Sequence, residues 1–443
     1  MTVPSIPKRF AIIGGGLLLV VLIFVICFVN GWITTWVEGP EFRAMLDQET
    51  SKGLKLEGSF APLQRRGVLG LSSDSFMGAN GYKTIVTLQA YDISGTFNPL
   101  GVLLRRWEID SIRINSGSVS LQETEASGAE ERGPPWWAFW PTRVYLADVK
   151  VDDANILWKL RDQDSGIYDT QLEITPNGRD FEYDAHDGDF RMPMTPPLKV
   201  VHAHLLVRKP RVYCSEFILA DDAAHPTETI QISGDAGLQQ DRSIHLKIDL
   251  DSLQVAPWLP EKLRPHVEGQ ASGHFDYASS GTGLETGQGK GNITVTHAIL
   301  RDLQLVHQYT ALTGGPNPGD MALKVCRADL GWDKGAVSAS NIEAECEGVF
   351  RLTGTVTITA DHTLSGQIEL GLTDPYLRWL PTARTAIFTR DEGPYHFTTI
   401  HLSGTVQKPD QDLTPRIARE LEKSPMLALK LFFRQAGQWF DFN

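Results

Sequence analysis

Ile244-His245-Leu246-Lys247-Ile248-Asp249-Leu250 alternates apolar and polar side chains without an error. Successive side chains of a strand point to opposite faces, so this spacing puts Ile244, Leu246, Ile248 and Leu250 together and leaves the polar set on the other side. The same alternation returns at Ala154–Leu160, at Val356–Ala360 and at Gln367–Leu372, where Ile368, Leu370 and Leu372 form the apolar set. Ile112 and Ile114, then Asn115-Ser116-Gly117, then Val119 and Leu121 read as a hairpin about a short glycine turn. Trp332–Gly335 and Thr359–His362 are further turn signals, and the 40 glycines and 25 prolines are dispersed as many tight turns require. The expectation is a mainly β chain, an elongated antiparallel meander with one apolar face.

Upstream of this lies a different kind of segment. Phe10 to Val29 carries no charge and follows Lys8-Arg9. At ~1.5 Å per residue it covers roughly 30 Å, the thickness of a hydrocarbon core. Phe10, Leu17, Leu22, Phe24 and Val29 are its lipid-facing candidates, and Trp32 and Trp36 are candidate interfacial anchors. The basic pair before the run, against Glu38 and Glu41 after it, orients the N-terminus inward. A cleaved signal peptide is the alternative, but the run exceeds the usual ~7–15 apolar residues and no small-residue cleavage site follows.

Helical signals are few. Residues 40–51 begin with proline near the first turn, and 255–264 and 300–312 are short candidates. A C-terminal helix is expected over 415–437, with Met426, Leu429, Phe432, Phe433, Ala436 and Phe440 on one stripe. It is read as a cap on the end of a sheet, with a membrane-surface helix as the alternative. Glu123–Pro135 is the best linker, and Trp136-Trp137-Ala138-Phe139-Trp140 reads as a plug of the β core or, alternatively, as a lipid contact. Residues 280–291 and 313–320 read as loops. The expected order is 1–37 cytoplasmic N-terminus and anchor, 38–122 helix plus strands, 123–135 linker, 136–240 middle β region, 241–412 C-terminal β region and 413–443 amphipathic helix.

The net charge of −13 and the lack of a basic run interleaved with aromatics argue against nucleic acid. Cys27, Cys214, Cys326 and Cys346 make no C-x-x-C, and whether Cys326 and Cys346 form a bridge stays open. His202 and His204 share a strand face without an evident third metal ligand. The acidic stretch Asp180–Asp189 lacks the order of a calcium loop and reads as an acidic hairpin turn. No nucleophile elbow, Walker A, dinucleotide or zincin motif is present, so no catalytic residue, metal or cofactor is expected and the chain is read as non-enzymatic.

The order of parts resembles AsmA-like proteins. Phe42–Leu46, Ser51–Ser59 and Trp107–Leu121 are similar to their N-terminal region. Gly291–Val295, Leu300–Leu303, Leu323–Val337, Leu352–Val356 and Leu364–Leu370 are similar to the C-terminal domain of AsmA/TamB-type proteins. The resemblance implies an inner-membrane-anchored periplasmic protein whose sheet curls into an apolar groove for phospholipid acyl chains during transport or envelope assembly. Its partners would be membrane lipids and other envelope proteins. On physical grounds a continuous apolar face has to be covered by a sheet, a helix or lipid. Acyl chains gain ~0.8 kcal/mol per buried methylene there. The competing expectation is an anchored β-sandwich scaffold or binding module whose apolar faces are simply its core.

Overall fold

The computed structural model describes residues 34–67, 69–81, 85–98, 107–122, 144–160, 163–177, 180–193, 195–208, 210–237, 242–281, 286–302, 316–378 and 383–422. Phe10, Leu17, Leu22, Phe24, Val29 and Trp32, the 123–135 linker, the 136–140 aromatic cluster, most of 300–312 and everything after Glu422 lie outside them. Among the described residues no helix is long and apolar enough to cross a membrane. The chain divides into two compact units, Met1–Pro193 and Met194–Asn443.

Unit 1 opens with a helix, α1 (Pro40–Leu54), started by Pro40 and ended by Lys55 in the left-handed conformation. The strands are β1 (Glu57–Phe60), β2 (Leu63–Arg66), β3 (Gly70–Ala79), β4 (Ile85–Asn98), β5 (Trp107–Leu121), β6 (Val144–Leu160), β7 (Gln163–Asn177), β8 (Asp180–His186) and β9 (Asp189–Arg191). β1 and β2 pair successive halves of β3, and β3 pairs β4, which pairs β5. Phe42 and Leu46 of α1 are buried against Leu63 and Leu71, which fills the open end of the first strands. Trp36 belongs to this plug, its ring 4.7 Å from that of Phe42, so it has a protein contact in addition to the interfacial role expected of it.

Three expectations are corrected here. The sheet is not purely antiparallel, because β5 and β6 run parallel, Ile114 beside Val151 and Val119 beside Ile156. A parallel neighbour needs a crossover of about a dozen residues or more, and the connection 122–143 is long enough to supply it. The hairpin at Asn115–Gly117 does not exist. β5 runs straight through, and a Cβ at Gly117 would meet only ordinary contacts, with the nearest atom 3.5 Å away. Finally, Asp180–Asp189 is not a turn, since β8 and β9 follow each other along the same neighbour, β7.

That last break belongs to a fold line across the unit. Ala61-Pro62, Asp74, Asp92, Asn115 and Asp152 fall level with one another on consecutive strands, and two residues further along β6 the line goes on through Asp169 to Asp187-Gly188. Asp92, Asp169 and Asp187 have φ of 51°, 55° and 59°. Asp tolerates this left-handed backbone better than apolar side chains do. Each break shifts the alternation by one residue, as a bulge does. Ile93 and Ala90 therefore join one cluster with Ile114, Leu88 and Phe76 despite their odd spacing.

Unit 2 is an antiparallel sheet of β10 (Leu198–Arg208), β11 (Arg211–Ala220), β12 (Thr229–Gly237), β13 (Ile244–Gln254), β14 (Val267–Ser279), β15 (Gly287–Leu300), β16 (Met321–Ala322), β17 (Val325–Asp333), β18 (Ala336–Cys346), β19 (Phe350–Ile358), β20 (Leu364–Thr373), β21 (Arg390–Glu392), β22 (Tyr395–Gly404) and β23 (Pro409–Gln411). Strands pair in chain order, except that β15 takes both β16 and β17, and β22 takes β20, β21 and β23. Residues 287–291, expected as loop, are strand. The 255–264 candidate is two 3-10 turns, Ala256–Trp258 and Arg264–His266, because Pro257, Pro260 and Pro265 deny it a continuous hydrogen-bond ladder. Lys334 and Gly335, at φ 49° and 87°, make the tight turn between β17 and β18 that the sequence predicts.

The helices of this unit, α2 (Asp374–Leu377), α3 (Ala383–Ala386) and α4 (Leu413–Glu422), gather at the β20–β22 end. α4 starts two residues before the expected Pro415, capped by the Gln411 side-chain carbonyl, which accepts from the N–H groups of Leu413 (2.7 Å) and Thr414 (3.0 Å). The outer side of β22 is not left open. β21 and β23 flank its two halves, Asp412 accepts the His401 N–H at 2.8 Å, and Arg416 donates to the Thr399 carbonyl. Such covers suppress edge-to-edge pairing.

Candidate functional site

One face of unit 2 is apolar from strand to strand, in register. Ala203, Phe217, Ile232, Ile248, Phe275 and Gly291 are successive partners from β10 to β15. The row goes on through Leu330, Ala339, Val356 and Gly366 to Leu402 on β22. No polar side chain interrupts it. A second row runs beside it through Cys214, Gly234, Leu246, Tyr277, Gly289, Trp332, Val337 and Ile358. At about 4.8 Å per strand the first row extends roughly 48 Å.

The expected lining residues all lie on this face. Ile244, Leu246, Ile248 and Leu250 sit on β13, and Ile368 and Leu370 sit several strands away on β20. All six are half-buried rather than buried. Leu372 is different, since it packs against Leu377, Ile387 and Phe388 and so belongs to the plug at the end of the face. Burial is complete along one margin, at Val200 (0 %), Leu219 (2 %), Leu253 (4 %) and Met321 (4 %). Toward the other margin it is least at Val337, which is 39 % exposed. The result is a face closed along one side and half-open along its middle.

Glycine shapes its floor. On β15 the Cβ positions of Gly289 and Gly291 would fall 2.5 and 2.8 Å from the Phe275 ring, and that of Gly287 would fall 2.1 Å from the Tyr277 hydroxyl. The two aromatic rings thus lie across the glycine row and restore the apolar surface that glycine lacks. Sequence reading took this stretch for a loop because of those glycines. The alternation Gly287, Gly289, Gly291, Ile293, Val295 was the available signal.

The opposite face is laced with charge. His274 lies 2.6 Å from Asp249 and 3.1 Å from Asp276, and those hydrogen bonds raise its pKa above the ordinary value. Arg390 pairs with Glu369 at 2.7 Å, and Glu343 takes both Arg327 (2.6 Å) and Arg351 (3.3 Å). A hollow of 890 Å³ opens where β17 and β18 are bulged, but its walls include this Arg–Glu–Arg set, Asp329 and Asn341, and do not suit an apolar guest. His202, expected on a strand face, hydrogen-bonds Glu216 at 3.0 Å, and no metal-ligand cluster occurs among the described residues.

Cys214, Cys326 and Cys346 are free thiols, so Cys326 and Cys346 are not bridged in this structure. Cys326 faces Ala344 rather than Cys346 across the strands. All three sit on the apolar face, and burial pushes each thiol above its ordinary pKa. No family model, curated protein or solved structure matches the chain. What the fold and face define by themselves is a mainly β protein with a long, partly uncovered apolar sheet face.

Proposed function

We propose that this chain is a non-enzymatic, inner-membrane-anchored protein of the cell envelope that binds phospholipid and helps move it for outer-membrane assembly. The acyl chains lie on the apolar face of unit 2. The observation that carries this reading is the uninterrupted row from Ala203 to Leu402, whose β13 and β20 members are half-buried rather than buried. A sandwich core brings such side chains to near-zero exposure, and an acyl chain laid along the row removes the remaining area from water at ~0.8 kcal/mol per methylene. The order of parts that resembles AsmA-like proteins supports the same reading, and so does the charge-free Phe10–Val29 run, which would hold the N-terminus in the inner membrane and the rest in the periplasm.

The test is photocrosslinking of the full chain in its membrane, with a photoreactive residue in place of Leu246 or Leu370. Phospholipid adducts at both positions, and none at the exposed Lys247, are the expected result. Adducts absent from both, together with no phospholipid retained in native mass spectra, would refute the lipid reading in favour of a scaffold.

A further inference from the structure

The turn between β2 and β3 is tied to the chain just after the apolar run. The Arg65 backbone N–H donates to Glu38 Oε1 at 3.0 Å, and its guanidinium donates to Thr34 Oγ1 at 2.5 Å. Thr34 follows Val29 by only five residues. A fully extended chain of that length reaches at most ~17 Å, so the turn cannot lie far from where the run ends.

What the turn presents at that place is an exposed apolar side chain near a basic one. Leu69 is 41 % exposed at its tip, and Arg66 is exposed beside it. From Gly58 to Ser73 there is no acidic residue, in a chain whose net charge is −13. β2 itself is held from behind by Leu63, buried with Phe42 and Leu46, so the tip projects from a fixed base. An exposed apolar side chain with an exposed guanidinium close by in the chain is the chemistry that settles at the boundary of headgroups and acyl chains, with the cation on lipid phosphate.

We propose that Leu69 and Arg66, at the β2–β3 connection, make a second contact with the membrane, in which Leu69 enters the interface and Arg66 binds anionic headgroups. This rests on the reading of Phe10–Val29 as an anchor. The contact would fix the orientation of unit 1 against the bilayer, which a single span leaves free to swivel.

The test uses the full chain in nanodiscs, with benzoylphenylalanine placed singly at Leu17, Leu69 or Phe181, the last an exposed apolar side chain of the same unit. Lipid adducts are expected at Leu17 and Leu69 and not at Phe181. Adducts at Leu69 should fall at least about fivefold with Arg66→Glu or when anionic lipid is omitted, fivefold being the effect of one basic residue near an anionic surface. Adducts at Leu17 without adducts at Leu69 would overturn this proposal and leave the anchor standing. Adducts at neither position would overturn both. Yields at Leu69 that ignore both Arg66→Glu and lipid charge, or adducts there to protein instead of lipid, would also overturn it.

Discussion

Replacing Leu246 by Asp separates an open face from a closed core. Leu246 sits in mid-sheet between Gly234 and Tyr277 and is half-buried. Full burial of a leucine is worth about 1.5–3 kcal/mol, so Leu246, covered on most but not all of its surface, has about 1–2.5 kcal/mol of it to lose in the lipid-free protein. The new carboxylate keeps water on its open side and adds little to that loss. With an acyl chain above it the same group is shut from water without a partner, at about 2 kcal/mol or more. Lipid bound at this point should therefore fall at least about 30-fold, at ~1.4 kcal/mol per factor of ten. Leu246→Met conserves volume and should retain lipid. Lys247→Ala, on the exposed face, should change neither quantity. Urea denaturation of delipidated protein gives the first number, and native mass spectrometry of lipid per chain gives the second. A stability loss of about 3–5 kcal/mol, the penalty of a filled core, with lipid content unchanged would refute the reasoning.

Three further outcomes follow from local chemistry. His274 should titrate above its ordinary value of 6.5, and Asp249→Asn should bring it back toward that value in an NMR titration. Because its folded pKa is raised, its ion pairs contribute fully below 6.5, and that contribution fades as pH rises through the folded value. Cys214 and Cys326, held above the ordinary thiol pKa by burial, should react slowly with a hydrophilic maleimide and more slowly still in lipid-loaded protein; equal rates with and without lipid would count against acyl chains over them. Asp412→Ala combined with Arg416→Ala strips the covers from the His401 N–H and the Thr399 carbonyl, so sedimentation should show concentration-dependent association beyond that of the natural chain.

The C-terminal plug depends on an arrangement of a different kind. His396 is buried on β22, with its two ring nitrogens bonded to Asp391 of β21 and Asp374 of α2, the latter at 3.0 Å. Its hydrogen bond holds the Asp391 carboxyl below the usual range. His396→Ala leaves the two carboxylates without the ring that joins them. Backbone exchange should rise in α2 and α4 and stay unchanged in β12 and β13, and protection that is equal everywhere would show that His396 holds nothing in place.

The alternation from Ile244 to Leu250 was enough to place β13, its apolar face and the polar face behind it, because strand periodicity is a local property. Pro40 likewise predicted α1, and Lys334-Gly335 predicted a tight turn, because backbone limits act over two or three residues. What alternation does not carry is pairing. The parallel β5–β6 neighbours are joined only by partners more than thirty residues apart. Asn115-Ser116-Gly117 reads as a turn because those residue types favour one locally, whereas the strand through them is held by pairing with β4 and β6 on either side.

Which residues share a face along an unbroken strand such as Ile244–Leu250 is legible from sequence alone, since a period of two is a local property of the extended backbone. That these faces join is set by pairing between distant strands. The bonds between strands set Phe217 beside Ile232, Ile248 beside Phe275 and Val356 beside Gly366. The Asp-marked line keeps the face of unit 1 continuous across its breaks, and in unit 2 the helices collect at one end while mid-sheet residues such as Leu246 stay half-buried. Register is a relation between distant segments, fixed when backbone groups find partners and apolar faces find each other, and no window of sequence contains it.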